Sequence, residues 1–278
     1  MGTISKALEL LDLFSPDRAE IGLTDFVRLS KRDKATVHRH LTELAQNGFL
    51  EQNPDSRAYR LGPAVLRLAA LRETLFPMRK ILQPLVIELS EIVGELAHAS
   101  LLQNDEMSPL VHADPKVHGI QVHFDVAEML PLHATSSGLA ALAFFPDATI
   151  DRLMARPLKK HTARTVADPS RMRDLIEGVR QYGLCTLADA FEDGVSSVGA
   201  PIFGQGCRVI GALAVAVPTS RAAPRKTHEI AGQLQRYARK ATVALGGAYP
   251  KTFEDLPPNW SGTKFTVHRE SKETEPNA

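Results

Sequence analysis

Asp33-Lys34-Ala35-Thr36-Val37-His38-Arg39-His40-Leu41-Thr42-Glu43-Leu44-Ala45-Gln46-Asn47-Gly48 is the stretch whose reading decides the fold of the first third of the chain. Val37, Leu41, Leu44 and Ala45 recur at helical spacing, which predicts a helix over 34–47 with one apolar face. Asp33 stands where an N-cap carboxylate belongs, and Asn47-Gly48 supplies a left-handed stop. Lys34, Thr36, His38, Arg39 and His40 crowd into the first half of this helix. Upstream, 25–29 reads as a short helix capped by Thr24, with 30–32 as the turn, and 3–13 reads as a first helix on Ile4, Ala7, Leu8 and Leu11. Downstream, 49–52 and 58–61 flank the polar turn Asn53-Pro54-Asp55-Ser56-Arg57, giving strand, turn, strand. Helix, short helix, turn, helix and hairpin, in that order, is a winged helix-turn-helix.

Charge agrees with that order. The chain of 278 residues carries a net charge of only +1, so distribution matters more than the sum. Between positions 28 and 41, Arg28, Lys31, Arg32, Lys34 and Arg39 stand against Asp33 alone, and from 57 to 72 Arg57, Arg60, Arg67 and Arg72 meet no acid. Two basic patches on an otherwise neutral domain suit phosphate contact from one face, although a solvated charged face gives the same counts. In the helix over 34–47, Arg39 has the planar fork that reads guanine, Thr36 suits a phosphate or a thymine methyl, and Lys34 suits a phosphate. Arg57, at the wing tip, suits a minor groove or backbone. The partner expected is double-stranded operator DNA.

The remainder changes pattern. A helix over 63–74 opens at Gly62-Pro63 and is read as a linker, and 78–93 is a further amphipathic helix ending at Gly94. Strands are expected at 96–102 and 107–112, about Asn104-Asp105, and more weakly at 122–124. Helices follow at 135–145, 150–156 and 170–182, strands at 184–187, 196–203 and 209–217, and a closing helix at 224–246. The expected division is 1–62 winged helix, 63–75 linker, 76–248 an α+β sensor and 249–278 a disordered tail that includes Trp260. Charged residues at 23% and hydrophobic residues at 44% allow both folded parts real cores. No apolar run reaches membrane-spanning length. The acid-rich N-terminus argues against a signal peptide, and two cysteines, Cys185 and Cys207, suit a reducing cytoplasm. His112, His118, His123 and His133 fall in one span, but no Cys or His pair stands at zinc spacing, so neither metal nor cofactor is expected. No nucleophile elbow, phosphate loop or dinucleotide fingerprint occurs, so catalysis is not expected.

Ile4-Ser5-Lys6-Ala7-Leu8-Glu9-Leu10-Leu11, Lys34-Ala35-Thr36-Val37-His38-Arg39 and Tyr59-Arg60-Leu61-Gly62 resemble the DNA-binding half of the IclR family. Leu130-Pro131-Leu132-His133-Ala134-Thr135-Ser136-Ser137-Gly138, Glu192-Asp193-Gly194-Val195, Ala200-Pro201-Ile202-Phe203 and Val217-Pro218-Thr219-Ser220-Arg221 resemble its second half, in family order over about 3–245. At Ala35 the family often has Ser, so a hydroxyl is missing there. The resemblance implies a GAF-like effector-binding domain with one small-molecule pocket and no catalysis, and the helical linker over 63–74 leads us to expect a homodimer or dimer of dimers whose reading heads the effector re-spaces. It also implies that a ligand carboxylate lies against the amides of Ser136 and Ser137. The family's other pocket positions fall on Leu187, Asp189, Ser197, Ala214 and Ala216. Leu187 and the two alanines make a drier pocket than small oxo-acid sensors have, which points to a carboxylate with an apolar body. Both alanines would equally serve to pack the sheet against helices.

Overall fold

The computed structural model describes residues 2–257 and 260. The chain divides into two compact units at Met78. In the first, α1 (Thr3–Leu11), α2 (Leu23–Ser30) and α3 (Lys34–Gln46) precede a hairpin of β1 (Leu50–Gln52) and β2 (Tyr59–Leu61), and α4 (Pro63–Leu75) follows. Leu10, Phe26, Val37, Leu41, Leu50 and Tyr59 form its core. The Phe26 ring meets Phe14 and Tyr59 edge-on, at centroid distances of 5.7 and 6.2 Å. Lys31 turns left-handed at φ 54° between α2 and α3, and Gly48 does the same at φ 73° after α3. The second helix differs from expectation: it starts at Leu23, after Gly22, and Thr24 caps nothing. Ile21 and Tyr59 exchange both backbone hydrogen bonds at 2.9 Å, a single isolated bridge at the edge of the two-stranded wing.

The second unit holds α5 (Met78–Val93), β3 (Leu96–Gln103), β4 (Glu106–Ala113), β5 (Leu130–Pro131), α6 (Ser136–Leu142), α7 (Asp147–Met154) and α8 (Pro169–Tyr182). It closes with β6 (Cys185–Ala188), β7 (Val195–Phe203), β8 (Val209–Pro218) and α9 (Pro224–Ala244). The strands form one antiparallel sheet in the order β5-β4-β3-β8-β7-β6. Strand alternation splits the side chains between two cores. Ala97, Ala99, Val198, Leu213 and Val215 face α5 and α9, packing on Leu82, Leu89, Ile230 and Leu234. Ala212, Leu187 and Phe203 face α6 and α8, packing on Leu139, Leu142, Met172 and Ile176. The architecture is the expected α+β one, a winged helix-turn-helix followed by a GAF-like unit. α8 shows how local sequence sets its ends: Asp168 accepts from the Arg171 amide at 2.9 Å, Pro169 opens the first turn, and Gly183 ends it at φ 65°. No helix among the described residues is long and apolar enough to cross a membrane.

Two expectations for this unit fail. Residues 122–124 form no strand; the only added strand of that region is β5, which pairs with β4. The tail is not loose over its described part, because its few aromatic residues find sites on the folded unit. Phe253 lies over Gly183, where an added Cβ would meet its ring at 2.6 Å, and it contacts Phe144 and Tyr249 at centroid distances of 5.5 and 5.2 Å. The Glu254 amide donates to the Gln181 carbonyl at 3.0 Å. Trp260 is buried against the α5/α9 core, its carbonyl 3.0 Å from His228 Nδ1. The rest of the expected tail, 258–259 and 261–278, lies outside the described residues.

Phe253→Ala should therefore cost the second unit about 2–4 kcal/mol. Urea unfolding followed by circular dichroism measures this; an unchanged midpoint would mean that the segment contributes no packing.

Candidate DNA-reading helix and effector pocket

Asp33 caps α3 as expected, its carboxylate accepting from the Thr36 amide at 2.8 Å, and that hydrogen bond holds the Asp33 carboxyl below its ordinary pKa. Lys34, His38 and Arg39 are exposed on the helix and Thr36 is half-buried. His40 is a correction. It falls on the apolar face with Val37, Leu41 and Leu44, is 3% exposed, and cannot reach a groove. Burial, then the charge of Arg39, pushes its pKa down, so the ring is neutral. Ion pairs sort the remaining cations. Arg28 is held by Asp25 at 2.9 Å, Arg60 by Glu51 at 2.5 Å, and Arg32 by Glu9 and the Lys6 carbonyl. Lys34, Arg39 and Arg57 make no ion pair among the described residues. Arg57 is exposed at the wing tip, on a turn fixed by the Asn53 side chain, which accepts from the Asp55 and Ser56 amides. The unit thus presents uncommitted cations on α3 and on the wing, while Arg28, Arg32 and Arg60 are held by carboxylates of the scaffold.

In the second unit a cavity of about 80 Å³ opens where α6 begins. Thr135 caps α6: its hydroxyl oxygen accepts from the Gly138 amide at 3.1 Å and donates to the Pro131 carbonyl at 2.9 Å. The amides of Ser136 and Ser137, in the first helical turn, have no helical acceptor. Both residues line the cavity, and Leu187, Ser197 and Ala216 form its floor across β6, β7 and β8. α6 can start there because Gly199 lies beneath it; a Cβ on Gly199 would overlap the Ser136 carbonyl oxygen.

Two expected pocket residues lie elsewhere. Ala214 is fully buried and does not line the cavity, since its β7 partner is Gly199, the residue that α6 covers. Asp189 is buried in a left-handed conformation at φ 54°. Its carboxylate accepts from the Gly194 amide at 2.7 Å, the Thr219 hydroxyl at 3.2 Å and Arg164. It ties the 189–194 turn to the end of β8 and lines no part of the cavity.

Sequence reasoning missed His98, Phe124, Phe191 and Glu128, which also line the cavity. His98 was open to detection, because the alternation Ala97-His98-Ala99-Ser100 puts two polar residues on one face of a strand. The Phe124 ring lies 4.7 Å from His98 and 5.2 Å from His112. The loop that carries Phe124 is anchored by Arg221, which donates to Glu95 at 2.9 and 2.7 Å and to the Ile120 carbonyl at 2.9 Å. Glu128, Asp125 and Glu192 gather at the mouth, where burial and then the charge of Asp125 push the Glu128 carboxyl up.

A wider cleft of about 570 Å³ shares Glu128 and Phe191 with this cavity. In this cleft His133 Nε2 lies 2.8 Å from the Lys159 carbonyl and Arg156 donates to Asp105 at 3.2 Å, while the Lys159 ammonium makes no ion pair among the described residues. Cys185 is buried and its thiol is pushed well up, which removes it as a nucleophile.

A winged helix with uncommitted cations on its reading helix, followed by a GAF-like unit with a lined pocket, defines a DNA-binding transcription regulator. Comparison with known proteins makes the assignment specific. The IclR helix-turn-helix domain matches residues 3–54, and the bacterial transcriptional regulator IclR C-terminal domain matches 74–243. The chain belongs to the IclR family of bacterial transcriptional regulators. It is 27% identical to the HTH-type transcriptional regulator XynR of Escherichia coli K12, over 89% of this chain and 98% of that one. A crystal structure of an IclR-class regulator from Silicibacter sp. TM1040 is 44% identical, with a TM-score of 0.82, covering 91% of this chain and 100% of that one. An IclR homolog from Microbacterium hydrocarbonoxydans, complexed with 4-hydroxybenzoate, is 24% identical with a TM-score of 0.74, covering 88% and 98%.

Burial pushes the His98 pKa down from 6.5 to about 4. The folded state therefore binds this proton less readily than the unfolded chain. The stability that a neutral His98 contributes is complete above pH 6.5 and falls as pH drops toward 4, by roughly 3 kcal/mol in all. His40 drifts in the same direction, so the check is a difference: urea stability of wild type and His98→Gln from pH 7.5 to 4, with the variant losing less. Parallel curves would show that His98 does not titrate low.

Proposed function

We propose that this regulator binds an operator through α3 and the wing, and that a monocarboxylate with an apolar body, seated at the start of α6, sets its DNA affinity. The observation that carries the effector class is the pairing of two acceptor-less amides, Ser136 and Ser137, with a floor of Leu187, Ser197 and Ala216. Exposed N–H groups suit an oxyanion and the apolar floor suits the body. The acids at the mouth, Asp125, Glu128 and Glu192, oppose a second carboxylate. The 4-hydroxybenzoate bound by the Microbacterium homolog is of the same class. A ring-sized body needs more than the present space, since about 150 Å³ holds benzene. The cavity therefore has to widen to admit one. No catalytic step is assigned to the pocket, and the expected setting is the cytoplasm.

On DNA, Arg39 reads a base edge, Lys34, Thr36 and His38 contact backbone or neighbouring bases, and Arg57 reaches from the wing. The operating species is a homodimer or a dimer of dimers. Ile4, Leu66, Leu75 and Phe76 leave 77%, 74%, 63% and 58% of their surface exposed in the first unit, an apolar set that a second copy would cover. α4 then links effector to DNA, because the ligand shifts operator affinity by its unequal affinity for two arrangements of the reading heads. Light scattering that shows a monomer on operator DNA would contradict this.

Arg39→Ala should cost about 1–3 kcal/mol on the operator and less on random DNA. Lys34→Ala should weaken both alike and lower the salt slope by about one. Fluorescence anisotropy across a salt series separates the two; equal losses for Arg39→Ala would reduce it to a phosphate contact.

For the pocket, isothermal titration should show benzoate bound and its uncharged isostere benzamide at least about tenfold weaker, a difference of about 1.4 kcal/mol. Ala216→Leu, checked for stability because overpacking costs about 1–3 kcal/mol, should abolish benzoate binding. Benzamide binding as well as benzoate would end the anion reading.

A further inference from the structure

We propose that His98 is a specificity residue of the effector pocket, its free ring nitrogen reading a hydroxyl-sized polar group on the end of the effector remote from the carboxylate. The inference rests on the carboxylate reading of the same pocket. β3 alternates, so His98 and Ser100 face α6 while Ala97 and Ala99 face the opposite core. His98 is 6% exposed and Ser100 fully buried. Ser100 Oγ lies 3.1 Å from His98 Nδ1, and the Phe124 ring lies against the imidazole. These two contacts fix the ring, and Nε2 has no hydrogen-bond partner among the described residues while the residue lines the cavity. Nε2 keeps some access from the cavity, so it is open to a hydrogen bond from a ligand seated there.

The chemistry of that partner follows from the ring. A neutral imidazole has one donor and one acceptor nitrogen. The Ser100 hydroxyl serves Nδ1 in either role, so Nε2 either donates or accepts. A hydroxyl on the effector answers both cases, and a methyl group answers neither.

Sheet register supplies the length. Gly199, Ala214 and His98 stand in one row across β7, β8 and β3. Ser136 sits on Gly199, and His98 is two strands away, about 10 Å at the usual strand spacing. A single ring with its carboxylate at one edge and a hydroxyl toward the other has the reach this gap calls for.

The test is isothermal titration of the full chain with benzoate and with 3- and 4-hydroxybenzoate. Wild type should bind the better hydroxybenzoate at least about tenfold more tightly than benzoate, the ratio expected for one added hydrogen bond to a buried group. His98→Phe keeps a ring against Phe124 and should bring that ratio to within about twofold. His98→Gln restores a donor and an acceptor and should recover part of the preference. Equal wild-type affinity for benzoate and both hydroxybenzoates overturns the role of His98 and leaves the carboxylate reading intact, even if His98→Phe does not fold. A preference that survives in folded His98→Phe also overturns it. No binding of any of the three acids overturns the carboxylate reading, and the inference with it.

Discussion

A side chain at Gly199 would collide with the Ser136 carbonyl, so the first turn of α6 can rest on the sheet only where β7 has no Cβ. That close approach fixes the start of the helix. Thr135 then caps Gly138, the next two amides are left over, and the cavity forms in the angle between helix and strands. Small residues continue the same surface: Ala212, Ala214 and Ser100 are each fully buried on this face. A bulky residue at any of them would lift α6 from the sheet and remove the site along with the packing. The pocket is in this sense a property of the backbone, with side chains choosing what enters. Ser197, Ala216 and Leu187 shape the floor, and His98 with Phe124 shapes one wall.

The first unit obeys a different constraint, the division of its cations. Arg32 and Arg28 are committed within the scaffold, Arg32 joining α1 to the turn before α3 and Arg28 pairing along α2. Arg60 braces the two wing strands through Glu51. These exposed or half-exposed pairs each contribute little stability, yet they remove positive charge from the tally available to phosphate. Lys34, Arg39 and Arg57 keep theirs. Neutral His40 lets α3 pack against its core without burying a charge. The helix therefore separates a dry face from a cationic one within 13 residues.

Much of this was legible in the sequence because local signals agreed. Asp33 and Gly48 bound α3, Gly94 ended α5, and Asn104 made the β3–β4 turn. His40 was legible too, since it lies three residues after Val37 and four before Leu44, but its polarity drew it to the wrong face. Val122, His123 and Phe124 misled for a tertiary reason: they are apolar or aromatic because they wall a cavity, and no strand edge takes them up. Tyr249 and Phe253 were hidden in polar, Pro-containing surroundings, and their burial depends on a surface built by α8 and β7. Ala214 and Ala216 share a face at strand spacing, so sequence cannot say which of them α6 roofs. Asp189 has the look of a ligand contact, and only the structure shows its oxygens already taken.

The central claim is that the first-turn amides of α6 receive the effector anion. Backbone amide chemical-shift mapping of ¹⁵N-labelled protein, titrated with benzoate, tests it most directly. The account predicts the largest shifts at Ser136 and Ser137, with smaller ones at Ser197 and Ala216. Shifts concentrated around Arg156, Lys159 and His161 in the wider cleft, with Ser136 and Ser137 unmoved, would contradict it.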